Sequence, residues 1–268
     1  MSENLPATIS GLNEDDFINA ASQNENFGKG EQVIPLLKIL QPLNPEVDEG
    51  NAAYIPGAKA GMFLSTATGQ LFDGRTGLLV VPMYHVHSNT EWHPRSEGGG
   101  FVRDWGATEG WKSRCAPDQR EAYQPMTTSG TTILKARHFY CMVMDGEGGA
   151  LPVVFPFQNT TLKVARWWTS KMINAPKIMT TKGPVTPAYH YYVYKVTLEQ
   201  QKNDKGRWFI PRVDFYFKDG RIVTLPEMPN GKEIWNAANV FIASLKSGDI
   251  NLSSAPEDGN IDEDQVPF

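Results

Sequence analysis

A mainly β body with two helices, followed by an acidic C-terminal arm, is the fold class this sequence predicts. Three observations predict it. Segments 133–143, 189–198 and 208–218 alternate apolar and polar residues with period two, the signature of half-buried strands. Segments 160–174 and 232–245 place apolar residues at helical spacing behind cap signals. Residues 247–268 hold six acids and no Lys or Arg, so they bury too little apolar surface to offset the entropy of ordering.

Taken in chain order, residues 1–30 are polar and acidic and read as a mobile N-terminal arm. The body spans 31–246 and opens with an apolar stretch at 33–40. A loop rich in Pro and Gly follows at 42–61. Segments 62–72 and 76–86 read as a hairpin turning at Asp73-Gly74, a dipeptide favoured in tight turns. The second of them is apolar on both faces, from Leu78 to Met83, and is expected to be buried. Residues 88–130, with Gly98-Gly99-Gly100, Trp92, Trp105 and Trp111, read as a long insertion, and loops of that length are often functional.

The three alternating strands follow. In 133–143 the even positions Leu134, Ala136, Tyr140 and Met142 are mostly apolar, while the odd ones include Lys135, Arg137 and Phe139. In 189–198, Tyr192, Tyr194, Val196 and Leu198 share one face, and Tyr189, Tyr191 and Lys195 the other. In 208–218, Phe209, Val213, Phe215 and Phe217 point inward, with Trp208, Arg212, Tyr216 and Lys218 outward. Helix 160–174 opens at Asn159 or Thr160 and stops before Pro176. Leu162, Ala165, Trp168, Thr169 and Met172 line its inner side, and Lys163, Arg166, Trp167 and Lys171 are left outside. Helix 232–245, opened by Asn230-Gly231, buries Trp235, Ala238, Ile242 and Leu245.

Charge is segregated along the chain. The net charge of −5 hides a body with 24 Lys plus Arg against 19 acids, flanked by two acidic arms. A mildly basic body beside acidic arms fits a polyanion binder that regulates itself. Two cysteines, Cys115 and Cys141, and no leader-like start point to a reducing compartment without a disulfide framework. No apolar run approaches the roughly 18 residues that span a bilayer. The expected location is the cytoplasm, that of a host cell if the chain is phage-encoded.

Lys or Arg beside Phe, Tyr or Trp on three strand faces suits single-stranded nucleic acid. Unpaired bases stack on aromatic rings at about 1–3 kcal/mol each, while cations track the phosphates. Lys135, Arg137, Phe139, Tyr189, Tyr191, Lys195, Trp208, Arg212 and Tyr216 are the expected DNA-binding set. The scaffold expected for such a face is a five-stranded barrel of the oligonucleotide-binding type, with the helices and the insertion as elaborations. The competing reading is that these rings form a second core.

Catalytic signatures are missing. There is no P-loop, no dinucleotide fingerprint and no nucleophile elbow. The chain is therefore expected not to be an enzyme and to need no cofactor. His85, His87 and His93 with Cys115, or His138 with Cys141, are the only zinc candidates, and without a Cys-x2-Cys pair no metal is expected. The alternatives are a protein-interaction or RNA-binding regulatory module and, further off, a nuclease with an unrecognised site.

The chain ends in Asp262-Glu263-Asp264-Gln265-Val266-Pro267-Phe268. A free aromatic tip behind acids suits docking into a basic pocket, whereas a merely solubilising tail has no use for it. This tip resembles the tail of bacterial single-stranded DNA-binding proteins, which end in acids, an apolar residue, Pro and Phe. It departs from them at Gln265, where an acid is usual. Several phage single-stranded DNA-binding proteins carry a similar tail. The body resembles phage replication proteins at Pro35-Leu36-Leu37-Lys38-Ile39-Leu40-Gln41 and Gly98-Gly99-Gly100-Phe101-Val102. The resemblance implies sequence-tolerant binding and protection of single-stranded DNA in replication or recombination. It also implies a tail that recruits replication or recombination proteins through Asp262, Glu263, Asp264, Val266, Pro267 and Phe268. The same tail would compete with DNA for the groove. The oligomeric state stays open.

Overall fold

The computed structural model describes residues 34–94, 101–145, 148–204 and 206–247. The expected N-terminal arm, the triple glycine and the acidic tail with Asp262, Glu263, Asp264, Val266, Pro267 and Phe268 lie outside the described residues. The body is mainly β, as its alternation predicts.

The chain begins with a small antiparallel sheet of β1 (Leu37–Ile39), β2 (Met62–Ser65) and β3 (Leu71–Asp73). It then enters a six-stranded antiparallel sheet through β4 (Leu78–Trp92). The partners of β4 are β5 (Phe101–Asp104), β6 (Thr132–Met144) and β10 (Tyr194–Asn203). Beyond them lie β7 (Ala150–Gln158) and β11 (Gly206–Phe215), giving the order β11-β10-β4-β6-β7. Between β7 and β10 come α1 (Leu162–Ile173) and a hairpin of β8 (Ile178–Thr180) and β9 (Gly183–Val185). The chain then adds a hairpin of β12 (Phe217–Lys218) and β13 (Arg221–Ile222), and α2 (Gly231–Ser247). No ladder joins β7 to β11 among the described residues. Among the described residues β11 and β7 are the two ends of this strand order.

Each face of the sheet carries a cover. On the first face Leu78, Val80, Phe139, Cys141, Val143, Val153, Phe155 and Val213 form a core roofed by Ala165, Trp168 and Met172 of α1 and by Leu37 and Phe63 of the small sheet. Trp168 is fully buried and stacks on Phe139 at 4.5 Å and 13°. Offset-stacked rings of this kind add to the area term of burial. On the second face Val81, Met83, Tyr140, Met142, Met144 and Val154 are covered by Ile234 and Ala238 of α2 and by Val193, Val223 and Leu225. Continuous apolar runs such as Leu78–Met83 exist because both faces are buried.

One irregularity in β4 sets which side chains share a face. Pro82 pairs with Cys141 and Tyr84 with Tyr140, so Met83 is an extra residue, a bulge. Proline has no N–H for the ladder and is found at such bulges. The bulge exchanges the faces of β4. Val80 opposes Val143, and His85 opposes Phe139, so an even and an odd residue share one face.

Three local expectations are corrected. The hairpin between β2 and β3 turns at 66–70, with Ser65 N–H on the Gln70 carbonyl at 2.9 Å. Asp73-Gly74 instead passes the chain from the small sheet to the large one. The Asp73 carboxylate accepts from the Thr76 hydroxyl and from the N–H of Thr76 and Arg75, which holds its pKa below the usual carboxylate range. Gly74 is required by crowding: a Cβ there would lie 2.2 Å from the Gly61 carbonyl oxygen. Secondly, Tyr189–Tyr191 is a 3-10 turn, and the strand starts only at Tyr194. Thirdly, the insertion is built rather than loose: β4 runs on to Trp92, β5 pairs with it, and a 3-10 helix spans Gly110–Arg114. Both helices form within one or two residues of their expected bounds.

Candidate nucleic-acid interface

Strand register separates the nine sequence-predicted binding residues. Lys135, Arg137 and Phe139 share the first face, as neighbours of Phe157 and Phe155. Tyr194 pairs with Val80 and so also belongs to the first face. Lys195 therefore points to the second face, and Arg212 and Trp208 follow it through the β10–β11 register. The expectation of a single surface is corrected. Alternation reveals that a strand has two faces but does not reveal which face of its neighbour each one joins.

Three of the nine converge. Lys135 is exposed, Arg137 is half-buried, and Tyr189 keeps 39 % of its surface open. The bulge brings His85 and His87 to this face, opposite Phe139 and Arg137. The His85 ring stacks on Phe139 at 5.3 Å and 17°, and lies 6.1 Å from His87 and 5.9 Å from Tyr189. Phe139 is itself fully buried, clasped between His85 and Trp168, so it supports the surface from below instead of forming it.

From α1, Thr169 accepts a hydrogen bond from Arg137 Nη1 at 3.4 Å. One turn earlier stands the exposed Arg166, whose positive charge acts on Arg137. Burial, then the repulsion of Arg166, draws the Arg137 pKa down from its ordinary value. Burial likewise lowers the His85 pKa, followed by the charges of His87 and Arg137. His87 is lowered by burial and then by Arg137. Among the described residues, no carboxylate stands within ion-pair distance of Lys135, Arg137 or Arg166. Like charges gathered without acids suit an anion supplied from outside.

The second face differs. Arg212 is held by Glu199 at 2.8 Å and Asp214 at 3.1 Å, and Asp214 also binds Lys171 of α1. These ion pairs pre-empt its guanidinium. Lys195 is exposed, whereas Trp208 is half-buried with its indole N–H turned inward. Tyr191 packs edge-on against Tyr192 and Trp235, and Tyr216 lies partly buried on the second core.

Sequence reasoning missed His85, His87 and Arg166 as site residues. Arg166 was legible as an outward helix position. The histidines were not, because only the bulge decides their face. The zinc candidates do not gather: His138 and Cys141 lie on opposite faces of β6, and no three His, Cys, Asp or Glu side chains converge among the described residues. Cys141 is fully buried, which pushes its thiol pKa well up.

The insertion has its own centre. The Glu91 carboxylate, with no exposed surface, accepts from Thr131 Oγ1 at 2.6 Å and Trp105 Nε1 at 3.0 Å, with Arg114 at 3.3 Å and Arg103 at 3.8 Å. Trp111, Cys115 and Ile133 pack alongside.

Among the described residues, no helix is long and apolar enough to cross a membrane. No curated protein and no solved structure matches the chain. A family match does, over residues 8–251, which takes in the whole described body. The chain is a phage protein and belongs to the Pam3 phage gp34-like protein family.

Proposed function

We propose that this phage protein binds single-stranded DNA without regard to sequence, in replication or recombination in the host cytoplasm, and is not an enzyme. The observation that carries the reading is the cluster of Lys135, Arg137 and Arg166, without a carboxylate at ion-pair distance among the described residues, around the half-buried ring of His85 and the exposed rings of His87 and Tyr189. Cations beside open rings match the two parts of an unpaired strand, its phosphates and its base faces. Duplex DNA hides the base faces, so the same surface discriminates against it. The acidic end of the chain, through Asp262, Glu263, Asp264, Val266, Pro267 and Phe268, recruits replication or recombination proteins and competes with DNA for the cations.

The test is fluorescence anisotropy of a labelled oligonucleotide at about 50 and about 200 mM salt, the range over which phosphate contacts lose most of their strength. Full-length protein and a chain ending at Ser247 are compared. Single strands bind more tightly than duplex, and removing the tail tightens binding most at low salt. Lys135→Ala with Arg137→Ala lowers the salt slope by about 1.4, since each single-strand phosphate contact contributes about 0.7. Lys195→Ala with Arg212→Ala leaves the affinity within about twofold, because Arg212 is already paired. No binding by either form would refute the reading.

One observation favours a second reading, a protein-docking module. The β8–β9 hairpin and the end of α1 expose Met179, Val185 and Ile173, with Met179 75 % open. Binding that is insensitive to salt would favour this reading.

A further inference from the structure

The outer side of α1 carries a feature that the sheet cluster does not use. Trp167 is 46 % exposed, an unusual position for the largest aromatic side chain. Lys163 lies four residues before it and Lys171 four residues after, so the three form one stripe along the helix. The Lys171 ammonium sits 3.7 Å from the Trp167 ring centroid and is itself fixed by Asp214. One face of the indole is therefore backed by a cation, and the ring is held in place while much of its surface stays open. A rigid, cation-backed ring loses little entropy when a base stacks on it.

This stripe is contiguous with the sheet cluster. Arg166 adjoins Trp167 in sequence and acts on Arg137, and Arg137 donates to Thr169 of the same helix. The neighbours of Trp167 on this side are polar or charged, namely Lys163, Arg166, Ser170 and Lys171. They complement a polyanion, whereas an apolar partner or an acyl layer would leave them desolvated and unpaired.

We propose that Trp167 is a second base-stacking platform. Lys163 and Arg166 contact the flanking phosphates, so that a bound single strand runs from His85 and Tyr189 across Arg137 and Arg166 onto α1. This inference rests on the single-strand reading above and extends its footprint to a helix.

The experiment measures binding of wild-type, Trp167→Ala and Trp167→Phe chains to labelled oligothymidylates of increasing length. Trp167 is surface-exposed, and near-identical melting of the variants checks that the fold is kept. Trp167→Ala is expected to weaken binding about 5- to 150-fold, the range of one stacked base, with the salt slope unchanged. Trp167→Phe restores most of the affinity, because a ring remains. The loss is expected to vanish with oligonucleotides too short to reach the helix. Lys163→Ala lowers the salt slope instead. Wild-type binding that weakens for Lys135→Ala with Arg137→Ala but stays within twofold for Trp167→Ala would overturn the platform and leave the sheet cluster standing. Failure of wild-type protein to bind any single strand would remove both.

Discussion

Glu91 is expected to hold the insertion together. It is a carboxylate with no exposed surface, joining β4 to Trp105, Thr131, Arg103 and Arg114. Its two short hydrogen bonds are charge-assisted, and such bonds contribute about 1.5–3 kcal/mol each. The guanidiniums add less. Side chains of Arg103 and Arg114 are 51 % and 34 % exposed, and solvent screening holds such pairs to about 0–1 kcal/mol. Glu91→Gln keeps one oxygen for the Trp105 N–H, which can only donate. Its new NH2 meets the Thr131 hydroxyl, which can turn to accept. The charge assistance and the weak arginine pairs are lost together, so the cost should be about 1.5–3 kcal/mol. Glu91→Ala strands the indole N–H and opens a void, for about 3–5 kcal/mol. Urea unfolding followed by tryptophan emission, with the slope held constant, measures both. A loss below about 1 kcal/mol for Glu91→Ala would refute the argument that this carboxylate holds the insertion together.

Two further outcomes follow from the same structure. The His85 and His87 pKa values are depressed by burial and by Arg137, so both rings are neutral at neutral pH in the free protein. Phosphates docked beside them favour the imidazolium form. Single-strand affinity should therefore rise as pH falls below about 6.5, by at most about tenfold per pH unit for each proton taken up. His85→Gln with His87→Gln should flatten the profile, and an unchanged profile would place the strand elsewhere. Stability should move the opposite way. The unfolded chain binds protons more readily than these depressed sites, so stability is intact above the ordinary histidine pKa. It is lost as pH falls through the lower folded values, which denaturant midpoints across pH will show. The second outcome concerns the thiols. Cys115 and Cys141 are both buried and their pKa values raised, chiefly by burial, so neither should be alkylated in the native protein and both should be in denaturant. Mass spectrometry after a timed iodoacetamide exposure reads this, and rapid native labelling of Cys141 would mean that the first core opens.

What the sequence determined by itself is whatever depends on neighbours along the chain. The helix of Ala165, Trp168 and Met172 is legible from its spacing, and so is its outward stripe of Lys163, Arg166 and Trp167. The alternation of β6, β10 and β11 is likewise local, because side-chain direction in a strand repeats every two residues. What only the tertiary structure decided is how those faces combine. Lys135 and Lys195 look equivalent on paper, yet the ladder from β6 through β4 to β10 sets them on opposite sides of the sheet. Met83 exchanges the faces of β4 and carries His85 and His87 to Arg137. Which cover each face receives, α1 with the small sheet on one and α2 on the other, is likewise a tertiary outcome. A one-residue shift in pairing reverses every side chain beyond it, and that shift is fixed by hydrogen bonds to a strand more than fifty residues away. No local pattern records it.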